Sequence, residues 1–151
     1  MNQVSYTGQD TIILNNRVLT GLADGDCVSV TYPNNLMNVK IGKNGNAIYG
    51  VNETGRLAEV KYRVLRGTSD DKFFNGLLAN QKVSPETFIL MTGELVKNIG
   101  NGLGAVAGDT TVLSGGVFVK QPDVKSNVEG DPGQAVAEYT LQFSAAPRVI
   151  T

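Results

Sequence analysis

Residues Ala58–Ala79 read AEVKYRVLRGTSDDKFFNGLLA, and the fold turns on a change of period inside them. Val60, Tyr62 and Val64 recur at every second position, with Glu59, Lys61 and Arg63 between them, the pattern of a strand that buries one face. After Arg66-Gly67 the period becomes helical, with Phe73, Phe74, Leu77 and Leu78 on one side. Thr68 and Ser69 supply a cap, and Asp70 and Asp71 place anions in the first turn, where the helix dipole favours them. The spacing predicts one short amphipathic helix over about residues 69–82, ended by Ser84-Pro85.

Outward from this segment the chain alternates. CVSVTY places Val28, Val30 and Tyr32 on one face, and LMNVKIGK does the same with Met37, Val39 and Ile41, so both read as half-buried strands. AVAEYTLQFS is the clearest strand, with Ala137, Tyr139, Leu141 and Phe143 inward and Val136, Glu138, Thr140 and Gln142 outward. Two stretches are unusually long. Thr87–Ile99 would span roughly 40 Å if continuous, against a common strand of about 5–6 residues. Thr110–Lys125 is interrupted by Gly115-Gly116, a predicted bulge, and by Pro122. GNGLGAVAGD and SNVEGDPGQ, which precede strands, have turn chemistry. The fold class expected is mainly β: a small β-sandwich or barrel with one flanking α-helix, residues 1–151 forming one domain.

Between Met37 and Ala58 lies GKNGNAIYGVNETGR, Gly42–Arg56, rich in glycine and asparagine. Such a run buries too little to offset the entropy of ordering it, so within one isolated domain it reads as a flexible loop. A loop of that length has a task, and Ser126–Gln134 is the second segment of this kind.

Composition narrows the chemistry. The chain has 151 residues, 41% hydrophobic and 18% charged, with 13 basic and 14 acidic side chains and a net charge of −1. A binder that neutralises several phosphates would carry a basic excess, so tight DNA binding is not expected. Histidine and tryptophan are absent and Cys27 is the single cysteine, which removes an intrachain disulfide, a His/Cys zinc site and the usual general base. Cys27 opens an alternating run and reads as an inert strand residue. Asp24 and Asp26 read as turn residues, and Asp70 and Asp71 as structural helix residues that point apart. GNGLGA matches the dinucleotide-binding spacing, but a glycine-broken β-branched run follows it instead of a helix, so it reads as a turn. No catalytic, metal or cofactor residues are assigned. MNQVSYTGQD lacks the pattern of a secretory leader and no apolar run nears about 20 residues, so synthesis in a cytoplasm and no membrane insertion are expected.

A strand that outruns its domain leaves an unpaired edge, and closing it with strands of identical copies removes that liability. The residues also resemble a known family. GKNGNAIYGVNETGR followed by AEVKYRVLRGTSDDKFFNGLLA resembles the tail tube proteins of contractile-tailed bacteriophages, relatives of the tube proteins of phage-like bacteriocins and type VI secretion systems. The resemblance implies a hexameric ring in which long hairpins complete a shared β-barrel, and rings stacked into an inner tail tube that conducts the genome during ejection. It implies as partners the chain itself, a tail sheath protein, a baseplate or tube initiator and a tape-measure protein in the lumen, with DNA passing through unbound and the protein residing in the virion tail. Under it the Gly42–Arg56 loop becomes an inter-ring or inter-subunit contact through Lys43, Asn44, Asn46, Tyr49, Asn52, Glu53 and Arg56. A conduit must not hold DNA, so polar or acidic lumen positions are expected, with Glu94, Glu138 and Gln142 as candidates. The alternatives are a tube-initiating baseplate or type VI secretion tube protein of the same fold and, from another class, a small β-sandwich ligand-binding module.

Overall fold

The computed structural model describes residues 4–6, 10–126, 128–130 and 132–150. In chain order the elements are β1 (Ser5–Tyr6), β2 (Thr11–Leu14), β3 (Arg17–Val18), β4 (Val28–Thr31), β5 (Met37–Ile41), β6 (Ala47–Val51), β7 (Ala58–Leu65), α1 (Ser69–Val83), β8 (Met91–Gly100), β9 (Val106–Lys120), β10 (Val136–Ala145) and β11 (Arg148–Ile150). Single helical turns cover Glu53–Arg56 and Pro132–Ala135. The protein is mainly β with one α-helix, as its periodicity predicts.

The main sheet is antiparallel in the order β3-β2-β8-β9-β10-β7-β4, with β1 added to β8 and β11 to β9. Its two ends are tied by one short stretch. The Leu19 amide donates to the Ile12 carbonyl at the β2 end, while the Gly21 and Cys27 carbonyls accept from the Leu65 and Arg63 amides of β7 at the other. The sheet is thereby curled into a sandwich-like fold, and among the described residues it does not close as a barrel.

Strand period decides what lies inside. Along β7, Ala58, Val60, Tyr62 and Val64 are buried, and along β10, Ala137, Tyr139, Leu141 and Phe143 are buried, with Tyr139 opposite Tyr62 and Leu141 opposite Val60. Helix α1 closes this face. Phe74 is fully buried, stacked on Tyr139 at 4.9 Å between ring centroids and tilted against Tyr62 at 5.3 Å. Gln81 pins the far end of the helix: its side-chain amide donates to the Phe118 carbonyl and accepts from the Phe118 amide, both at 2.9 Å.

The Asp pair of the first helical turn points two ways, as neighbours on a helix must. Asp71 accepts from the Gly67 amide at 2.9 Å and from the Tyr139 hydroxyl at 2.7 Å. Asp70 is 1% exposed and accepts from the Thr20 and Gly21 amides and from the Arg17 guanidinium. Burial alone would push the Asp70 carboxyl up, but those two amides and Arg17 together outweigh it and hold the group below its ordinary value.

The Gly115-Gly116 bulge is present. Gly115 has φ +68°, and Met91 and Gly93 of β8 oppose Gly116 and Leu113 of β9, so β9 carries an extra residue there. A side chain at Gly116 would enter the Phe143 ring. GNGLGA is a turn, in which Asn101 Oδ1 accepts from the Leu103 and Ala105 amides. Asp24 and Asp26 lie in an exposed turn with Gly25 at φ +74°, and Cys27, half-buried, immediately precedes β4.

Several boundaries differ from the sequence expectation. The long strand begins at Met91, not Thr87, because the Thr87 amide turns back to the Ser84 carbonyl after Pro85. Its partner runs from Val106, inside the expected turn, to Lys120 and stops before Pro122. Tyr32 falls outside β4, and Thr140, expected outward, is only 7% exposed because Lys61 and Lys120 flank it across the ladder. In SNVEGDPGQ, Asn127 and Asp131 lie outside the described residues, as do parts of the MNQVSYTGQD segment read for a leader. The largest difference concerns Met37–Ile41, which is fully exposed instead of half-buried.

Replacing Phe74 with Ala removes the ring that seals the inner face and is expected to cost about 3–5 kcal/mol, read from urea unfolding midpoints. Asp70 contributes a pH dependence of definite sign. Its folded-state carboxyl titrates below the unfolded value near 3.8, so its contribution is complete above that value and is lost as pH falls through the folded one. Between about pH 6 and about pH 3 the wild type should lose more stability than Asp70→Asn, which is already destabilised by about 2–3 kcal/mol at the higher pH. Equal slopes for the two proteins would remove this role.

Candidate assembly interface

The most unusual part of the molecule is the segment from Thr31 to Val51, in which every residue is exposed. Its middle is a two-stranded hairpin, β5–β6, hydrogen-bonded to no other strand among those described. The turn is built by short-range bonds: the Gly42 amide donates to the Asn46 carbonyl at 2.7 Å and the Gly45 amide to the Gly42 carbonyl at 3.0 Å, with Gly45 at φ +82°. Five residues per strand make an arm roughly 17 Å long. The Gly42–Arg56 stretch is therefore not a flexible loop but the turn, return strand and foot of this arm.

Register assigns its faces. Met37 opposes Val51, Val39 opposes Tyr49 and Ile41 opposes Ala47, so one face of the arm is wholly apolar. Asn38, Lys40, Ile48 and Gly50 take the other. Ile41 is 68% exposed, Tyr49 67% and Val51 72%. A two-stranded hairpin is marginal in water, and a contiguous exposed apolar face marks an interaction surface.

The seven contact residues expected from the sequence are distributed along this arm. Lys43, Asn44 and Asn46 form its tip and Tyr49 stands at mid-length. Asn52, Glu53 and Arg56 form the foot: Asn52 caps the turn by accepting from the Thr54 amide, and Arg56 pairs with Glu53 at 3.6 Å. The residues the sequence reading missed are Met37, Val39, Ile41 and Val51, assigned to a core or left unremarked although they alternate on both sides of a KNGN turn. That symmetry is the signal of a hairpin.

The other candidate surface is the sheet face away from the core. Glu94, Glu138 and Gln142 all fall on it, since the inward positions of their strands are Gly93 and Leu95, and Ala137, Tyr139, Leu141 and Phe143. Across the ladder Glu138 opposes Arg63, Thr140 stands between Lys61 and Lys120, and Gln142 stands between Glu59 and Val117. Charges of both signs mix there, and part of this face forms a polar groove of about 480 Å³ bounded by Lys120, Asp123 and Lys125. Arg66 holds the groove's Lys125 in place by donating to its carbonyl at 2.6 Å.

Beyond the core, β8 and β9 continue as a hairpin whose residues from Gly93 to Gly100 are half-buried on both faces. Ion pairs fasten neighbouring segments to it: Lys97 to Asp10 at 2.9 Å, and Arg148 to Asp109 through two bonds of 2.6 and 2.8 Å. The Arg148 guanidinium holds the Asp109 carboxyl below its usual range, and the Asp10 carboxylate raises Lys97. Among the described residues no three His, Cys, Asp or Glu side chains converge as metal ligands, and no helix is long and apolar enough to cross a membrane.

Because every residue of both arm strands is exposed, Val39→Asp and Tyr49→Ala should change the stability of the free subunit by no more than about 0.5 kcal/mol, read from thermal melts at low concentration. A large loss in either variant would mean that the apolar face packs within its own subunit. A scan against protein-family models finds no match, and a search of curated protein sequences finds none either.

Proposed function

We propose that this chain is a structural, self-assembling subunit, a tail tube protein of the contractile-tail type whose rings stack into the tube that conducts a phage genome. The observation that carries this reading is the β5–β6 arm, an ordered apolar surface that a solitary subunit leaves in water. The β8–β9 hairpin adds support, since β9, with 15 residues, outruns β10, with 10, and β8 outruns β2, with 4, leaving edge length for packing between copies. In the ring, hexameric by the resemblance, such hairpins would complete a shared barrel, and the face bearing Glu94, Glu138 and Gln142 would line the channel. Its mixed charge suits a conduit, because Lys61, Arg63, Lys120 and Lys125 are interspersed with Glu59, Glu94, Asp123 and Glu138 and leave no net cationic excess to retain phosphate. Sheath, baseplate or tube initiator, and tape-measure proteins are the partners of such a tube, and the virion tail is its location.

Negative-stain electron microscopy with solution mass measured alongside tests the proposal. Hollow rings or striated tubes are expected from the wild type, and only subunits from Val39→Asp. A wild-type protein that stays monomeric at high concentration, and also fails to extend tubes from a supplied baseplate, overturns it.

A further inference from the structure

The arm has a second apolar surface at its foot, on the side opposite its apolar face. Leu36, one residue before β5, is 67% exposed and lines a groove of about 840 Å³ with Tyr32, Ala145, Ala146 and Pro147. The groove is held open by the fold itself. The Tyr32 hydroxyl donates to the Ala146 carbonyl at 2.8 Å, and Asn34 Nδ2 donates to the Thr54 carbonyl at 3.1 Å, fixing the walls to the β10–β11 corner and to the foot of the arm. Leu36 precedes Met37 by one residue and the Asn52 amide donates to its carbonyl, so the alternation of the ladder continues and turns Leu36 away from the Met37 face.

We infer that the occupant of this groove is the arm of a second copy, seated head to tail: the Val39–Tyr49 face of one subunit's arm packs into the Leu36–Pro147 groove of the next. The inference rests on the self-assembly reading above and adds which surfaces meet. Two arguments single out another copy. An apolar ridge and an apolar groove on opposite sides of one arm form a heterologous pair, which propagates from copy to copy instead of closing as a dimer. The exposed face of the arm amounts to roughly 500 Å², a large share of the ~800 Å² per partner of a standard interface. Face-to-face pairing of two arms would cover the ridge and leave the groove in water, whereas the head-to-tail contact covers both.

Cross-linking tests the contact. In a Cys27→Ser background, Val39→Cys on the ridge is combined with Asn35→Cys at the groove, and the protein is treated with a short bismaleimide after circular dichroism has shown native strand content. A ladder of covalent multimers is expected from the double variant and is lost in each single variant. If Asn35→Cys does not fold, Arg56→Cys on the same groove takes its place. A dominant dimer from Val39→Cys alone establishes symmetric pairing and overturns the inference. Rings or tubes in micrographs with no ladder also overturn it while leaving the tube reading standing, whereas a ladder from filaments that are never hollow keeps the contact and overturns the tube. A protein that remains monomeric and uncross-linked overturns the contact outright.

Discussion

The stacking of Phe74 on Tyr139 is the contact on which the rest of the structure depends. A sheet with alternating side chains has two faces and only one can be buried, and the helix selects it by setting an aromatic ring against β7, β9 and β10 at once. Once Tyr62 and Tyr139 are inside, Glu59, Lys61, Arg63, Glu138 and Gln142 are outside with no further freedom. Asp71, accepting from the Tyr139 hydroxyl, and Asp70, holding Thr20, Gly21 and Arg17, tie the same helical turn to interior strand β10 and to the β3 end of the curled sheet. Burial, together with the bond to Asp71, pushes the Tyr139 hydroxyl well above its ordinary range, so the hydroxyl keeps its proton to donate.

The outward face and the arm are the two surfaces this core leaves over, and they differ in kind. The outward face is charge-mixed, with opposite signs across strands at Glu138 and Arg63, a pattern that is stable in water and makes no demand for a cover. The arm is the reverse: both of its strands are edges whose outer backbone groups find no partner strand among the described residues, and its apolar side chains stand exposed. Ordering some fifteen residues costs conformational entropy that a bare hairpin recovers poorly, and contact with another molecule offsets that cost. If the arm packs against further copies as proposed above, the assembly and not the solitary subunit is the state of lowest free energy.

The strand–helix junction at Ala58–Ala79, the β10 alternation, the Gly115-Gly116 bulge and the GNGLGA turn were all legible because each depends on local period or on a backbone conformation that few residues adopt. Met37–Ile41 was legible as a strand but not as an exposed one. Alternation reports that one face is apolar, and it carries no information about whether that face meets a core, a partner or water. Gly42–Arg56 was misread as a loop since its glycines and asparagines outweighed the short AIYGV run, whose pairing partner lies just upstream.

What the sequence by itself determined, then, is the mainly β class, the single α-helix and the inward residues of β7 and β10, because these follow from side-chain period within one segment. Only the tertiary structure decided that Glu94, Glu138 and Gln142 share a face, that Asp70 is a buried tie between distant segments, and that the arm stands alone with a groove at its foot. Each of those depends on pairings between strands far apart in the chain, whose register is set by the packing of the whole core and is encoded in no single stretch.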